Sequence, residues 1–170
     1  MKVSAQLRYA TDPDGVFAML TDPAFQDRKL AATGALSHEV SIDENGRGAT
    51  IRTERQMPTD DVPDMVRSFV GTTLTLVQVE RWEPPAADGS RSGTLKVEVL
   101  RAPVRLTGTL RLAPDVSAAG GSTGTVETMQ GELVARIPLF GTKIEKSAEP
   151  VIQAAIAVEQ RTGTAWLAER

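Results

Sequence analysis

One histidine, His38, and a few charged side chains set in strand-like sequence are the positions where this chain could do chemistry. Histidine exchanges a proton near neutral pH, so a general base or a metal ligand would be expected to include His38. A metal site needs further ligands at suitable spacing. Neither H-x-x-x-H nor H-E-x-x-H occurs, and no metal or cofactor is expected. His38 alternates with Leu36 and Val40, which fits equally a histidine satisfied within a core wall. No strand-to-helix elbow is read that would present a serine nucleophile to it. Gly120-Gly121-Ser122-Thr123-Gly124 has no helix start behind it and lacks a P-loop lysine, so it is not a phosphate cradle.

Arg55 is the more consequential charge. It alternates with Ile51, Thr53 and Met57, and neighbouring Glu54 points to the opposite face. If Arg55 points inward it needs a carboxylate, with Glu127 or Glu132 as candidates, or it holds an anionic group of a ligand. The alternative is a rim arginine paired in solvent. His38, Arg55, Gln78 and Glu132 would be the groups of an enzyme site, provided that they converge in one pocket.

These residues sit in a simple order of elements. Val3, Ala5, Leu7 and Tyr9 alternate with polar residues as a half-buried strand. Thr11-Asp12-Pro13 and Thr21-Asp22-Pro23 are two helix starts, and Gly34 ends the second helix. Residues 36–42 and 48–57 form a hairpin about Asn45-Gly46. Pro58 to Pro63 is an acidic connection, followed by a short helix or irregular loop with Met65, Val66, Phe69 and Val70. Strands follow at 73–82, 94–100, 104–112 and 126–136, with a small, polar loop from Pro114 to Gly124. Ile137, Phe140, Ile144, Ala148, Val151, Ile152, Ala155, Ile156, Thr162 and Trp166 then share one face of a long helix. Pro150 inside that helix predicts a kink or a break near Ala148–Pro150.

Composition narrows the function classes. At 170 residues the chain is long enough for one domain with a substantial core. A net charge of −3 gives no long-range attraction for phosphate, so nucleic acid is not an expected partner. The absence of cysteine excludes disulfides, thiolate zinc sites and cysteine nucleophiles, and fits a cytoplasmic location. Residues 1–7 alternate rather than forming the apolar run of a signal peptide. No stretch reaches the roughly eighteen apolar residues of a membrane span.

A long helix pressed on a curved antiparallel sheet can enclose a cavity. The candidate lining is Met65, Phe69, Val77, Met129, Leu133, Ile144, Val151, Ile152 and Ala155, with Arg55 as a polar member. The same apolar residues could simply fill a core. Aromatics are only 4%, so the walls are aliphatic and suit acyl chains or isoprenoids better than planar rings.

The element order resembles the helix-grip fold of the START-like (SRPBCC) superfamily, an α+β fold. It implies a curved antiparallel sheet of about seven strands, in the order strand, helix, helix, six strands, wrapped around a C-terminal helix. Asp12-Pro13-Asp14-Gly15-Val16-Phe17 and Ile137-Pro138-Leu139-Phe140-Gly141-Thr142-Lys143-Ile144-Glu145 carry the resemblance. More narrowly, Met57-Pro58, Val62-Pro63 and Gln78-Val79-Glu80-Arg81-Trp82 resemble an uncharacterised bacterial family, domain of unknown function 2505. The superfamily hosts binding, transport and catalysis alike. It implies first a binder of a small hydrophobic molecule, then a polyketide cyclase or hydratase, then a protein-interaction module.

Overall fold

The structure, a computed structural model, describes residues 1–60, 62–117 and 123–170. Eleven elements follow one another: β1 (Lys2–Tyr9), α1 (Pro13–Leu20), α2 (Pro23–Ala32), β2 (Ser37–Asn45), β3 (Gly48–Pro58), α3 (Asp64–Val70), β4 (Thr73–Trp82), β5 (Arg91–Val99), β6 (Val104–Pro114), β7 (Thr125–Ala135) and α4 (Gly141–Ala168). The strands form one antiparallel sheet in the order β1-β7-β6-β5-β4-β3-β2. Together they build the α+β helix-grip architecture.

Local chemistry sets the boundaries. The Asp12 carboxylate accepts from the Gly15 N–H at 2.8 Å, and Asp22 accepts from Ala24 at 2.9 Å. Each caps a helix that opens on proline, whose fixed φ suits the first turn. Gly46, at φ 64°, turns the β2–β3 hairpin in the left-handed region that glycine occupies freely. Part of the loop expected between the last two strands, 118–122, lies outside the described residues, as does Asp61. Residues 120–124 spell the G-x-S-x-G letters of a nucleophile elbow. An elbow joins a strand to a helix, whereas the elements flanking this segment are β6 and β7.

Strand register decides which side chains face inward. Val3, Leu7, Leu106, Leu110, Leu112, Met129 and Leu133 form the packed half of the inner face, on β1, β7 and β6. Against them lie Val16, Met19 and Leu20 of α1, Phe25 of α2 and Trp166 of α4. Phe25 meets Trp166 edge-on, with centroids 5.6 Å apart. α4 makes its main contacts with α2, β7 and β1. It runs unbroken from Gly141 to Ala168 with Pro150 inside it, so the expected break does not occur. Pro150 is exposed, where a lost backbone hydrogen bond is taken up by solvent.

The other half of the inner face is only half-covered. Arg55 and Met57 of β3, Leu74, Leu76 and Gln78 of β4, and Val97 and Val99 of β5 point inward yet stay half-buried. The helix leans on the β1 side of the sheet and leaves this side less covered, as a cleft. α3 stands at one end of the cleft and has no fully buried residue. Met65 and Val66 pack against Ala135, Ile137 and Ile144. Arg67 fastens the preceding loop, donating through Nε to the Thr59 carbonyl at 3.1 Å and through Nη2 to Asp60 at 3.0 Å.

Candidate functional site

The floor of the cleft is charged. Arg55 is on the inner face, not the rim, and Nη1 donates to Gln78 Oε1 at 3.4 Å. Gln78 Nε2 donates in turn to Glu80 Oε1 at 2.7 Å. The second oxygen of Glu80 accepts from Trp82 Nε1 at 3.1 Å. Deeper in, Lys29 of α2 lies 3.5 Å from Glu159 of α4. Glu127 of β7 and Tyr9 of β1 complete the cluster, at 5% and 4% exposure.

Five titratable charges therefore share a poorly hydrated interior: Lys29 and Arg55 against Glu80, Glu127 and Glu159. Burial pushes the Glu127 carboxyl well above the usual carboxylate range, helped by Glu159 and Glu80 and opposed by Lys29. Burial alone would lower the Lys29 ammonium, but Glu159, Glu80 and Glu127 outweigh it and raise its pKa. Burial lowers that of the Arg55 guanidinium, against the pull of Glu159 and Glu80. Burial also drives the Tyr9 phenol far upward, with the nearby carboxylates adding to the effect.

Several of these groups lack a hydrogen-bond partner among the described residues: Tyr9 Oη, Thr53 Oγ1, Arg55 Nε, Lys29 Nζ and Glu127 Oε2. Buried polar atoms are normally satisfied, and leaving one unpaired costs about 1–3 kcal/mol. Thr53 and Arg55 are on β3, beside the cleft, where a polar guest group suits them; Tyr9, Lys29 and Glu127 lie in the packed interior, where ordered water does.

The sequence candidates fall into three groups. Arg55, Ile152 and Ala155 are half-buried, Arg55 at the cleft floor and the other two on α4. Phe69 is 53% exposed on α3, and Met65 of the same helix is half-buried against Ala135, Ile137 and Ile144. Met129, Leu133 and Ile144 fill the core, at 8%, 4% and 5% exposure. Val151 points to solvent at 58%. Val77 is a correction: it pairs with Glu54 and Glu98 on the outer face, opposite to Leu76 and Gln78. Of the two carboxylates considered for Arg55, Glu132 is also outside, 3.6 Å from Lys2, so it leaves any enzyme set. His38 shares the inner face opposite Arg55, but its Nε2 sits 3.1 Å from Asp27 near the surface. No group of three or more potential metal ligands occurs among the described residues.

Lys29, Glu80 and Glu159 were not foreseen, although each had a signal. Lys29 is one helical turn from Phe25, Glu80 alternates with Gln78 and Trp82, and Glu159 shares the helical stripe of Ile152, Ala155 and Ile156. Two depressions of the described surface lie away from the floor. One of about 490 Å³ is lined by Leu139, Thr142, Lys143, Lys146 and Ser147. The other, of about 110 Å³, lies between the N-terminal residues and Glu149, Ile152 and Gln153.

Residues 4–167 match the family described as "Protein of unknown function (DUF2505)". The chain belongs to that family. An uncharacterised protein of Mycobacterium tuberculosis is 28% identical to this DUF2505 chain over 126 residues, covering 73% of this chain and 70% of its own. Among solved structures, the Zhui aromatase/cyclase from a Streptomyces species superposes with a TM-score of 0.58 at 13% identity, covering 97% of this chain and 92% of its own. Norcoclaurine synthase from Thalictrum flavum gives 0.56 at 13%, covering 100% and 87%. A protein from Thermus thermophilus gives 0.59 at 17%, covering 97% and 95%. At such identities these likenesses establish the helix-grip fold alone. No helix among the described residues is long and apolar enough to cross a membrane.

Proposed function

We propose that this DUF2505 protein binds a small hydrophobic molecule in the cleft between α4, α3 and the inner face of β3–β5. One observation carries the reading: Met57, Leu74, Leu76, Val97 and Val99 point inward yet are only half-buried, because α4 leans on the other half of the sheet. A concave apolar wall above a few convergent polar groups is the usual form of a small-molecule site. The fold shared with an aromatase/cyclase and norcoclaurine synthase supports the same class of guest. The cluster already holds three acids for two cations, so it favours a neutral polar end over a free carboxylate. Titration with a neutral solvatochromic dye such as Nile red tests this. Saturable binding that other hydrophobes displace, and that Leu76→Asp abolishes, is expected. Non-saturable emission, or binding unchanged by Leu76→Asp, contradicts it.

A second reading, a cyclase- or hydratase-like enzyme, has one observation in its favour. Arg55, Gln78 and Glu80 are joined by hydrogen bonds on the cleft floor, near a Glu127 carboxyl able to hold a proton. Turnover of a polyketide-like chain that is lost in Glu127→Gln, with binding kept, would favour it over simple binding.

A further inference from the structure

The open end of the cleft carries a surface that guest binding does not need. Three segments bound it: α3, the β5–β6 turn and the β7–α4 loop. Leu100 N donates to the Thr75 carbonyl at 2.9 Å, and Arg136 N donates to the Pro103 carbonyl at 2.8 Å, so the two loops and the start of β4 are held together. Four bulky apolar side chains project here: Phe69 at 53% exposure, Leu100 at 44%, Leu139 at 98% and Phe140 at 40%.

The backbone is unusual at the same place. Arg101 and Leu139, at φ 66° and 67°, are the non-glycine residues in the left-handed region among the described residues. That region is unfavourable for arginine and leucine, and strain of this kind gathers at functional surfaces. In Leu139 it accompanies a leucine held almost wholly in solvent.

The charge of this end departs from that of the chain. Arg101, Arg136, Lys143 and Lys146 are exposed, and none forms an ion pair among the described residues. Glu145 is the one acid from 136 to 146. Its carboxylate turns inward, accepting from Ala135 N at 2.9 Å and from the Met1 ammonium at 3.1 Å. The α3 side is acidic by contrast: Asp64 pairs with Arg67 at 3.4 Å, and Asp60 and Asp61 precede it in sequence. Within a chain of net charge −3, the β5–β6 turn, the β7–α4 loop and the start of α4 thus form an apolar, locally cationic edge, set apart from the acidic residues about α3.

We propose that this end docks on an anionic lipid bilayer. Leu139, Phe140 and Leu100 enter the boundary between headgroups and acyl chains, and Arg101, Arg136, Lys143 and Lys146 lie against lipid phosphates. The depression of about 490 Å³ beside Leu139 gives a headgroup room next to Lys143 and Lys146. Knobs on three separate segments, with cations at their bases, match a deformable layer of anionic headgroups better than they match a groove-seeking peptide. Docking does not depend on whether the cleft holds a guest.

Vesicle flotation of the full chain tests the proposal. At low salt the protein is expected to float with phosphatidylcholine–phosphatidylglycerol vesicles and not with phosphatidylcholine alone. Each neutralised lysine should weaken binding about fivefold, so Lys143→Gln/Lys146→Gln loses roughly 25-fold. Raised salt weakens binding in the same way. Leu139→Asp, at a position without core contacts, abolishes flotation while leaving the melting curve unchanged. Failure to float with anionic vesicles, or equal binding by both variants, overturns the proposal. A dimer that Leu139→Asp dissolves, without vesicle binding by the parent chain, also overturns it and assigns the patch to a second copy.

Discussion

Gly163 of α4 rests directly on the ring of Tyr9: a methyl group at position 163 would lie 2.6 Å from Tyr9 Cε1 and 3.2 Å from Met19 Cε. This approach lets the helix lean over β1 and α1, and leaning there uncovers the inner face of β3–β5. Glycine inside a helix costs about 1 kcal/mol relative to alanine, so Gly163→Ala would stabilise an isolated helix. In the protein the overpacking, roughly 1–3 kcal/mol, should win. A fall in the urea midpoint is expected. A rise would mean that α4 does not sit on Tyr9.

Glu127 gives the pH test. Its folded-state pKa is raised, so the native state keeps a proton that the unfolded chain releases. Stability from this group is complete below the ordinary carboxylate value and is lost as pH rises towards the raised folded value. Glu127→Gln should therefore be nearly neutral in acid and stabilising at neutral and higher pH. Denaturation curves of both proteins across that range check the sign, and a variant equally destabilised at every pH would refute it.

Lys29 and Glu159 hold α2 to α4. Lys29→Met leaves three acidic side chains with Arg55 alone, and a loss of about 3 kcal/mol is expected. Lys29→Met/Glu159→Leu should recover much of it, because the orphaned acid is removed as well. A double-mutant cycle of denaturation free energies without coupling would show that the pair is not formed.

Pro150 is exposed within a continuous helix. Pro150→Ala restores a backbone donor and removes the clash one turn back, so a gain of about 1–3 kcal/mol is expected in thermal or urea unfolding. No gain would indicate that the helix is already relaxed around the proline.

The element order was legible because its signals are local. Alternation marked the strands, Asp-Pro pairs marked α1 and α2, and Asn45-Gly46 marked the hairpin. The faces of β4 were not legible in the same way. Leu76 and Val77 are adjacent and both apolar, and only pairing of Val77 with Glu54 and Glu98 shows that it faces out. The charged floor was hidden for a related reason. Alternation places Glu127 with Met129 and Leu133, but its meeting with Lys29 and Glu159 joins a strand to two distant helices. The half-open cleft depends on where α4 leans, which Gly163 and Tyr9 decide from opposite ends of the chain.

The central claim is an accessible inner face on β3–β5, and methyl-resolved NMR with a neutral hydrophobic ligand tests it most directly. Saturable shifts confined to Met57, Leu74, Leu76, Val97, Val99 and Ala155, with Val77 and Val79 unmoved, are the result predicted. Shifts on the outer face, or none at saturating ligand, would contradict the account.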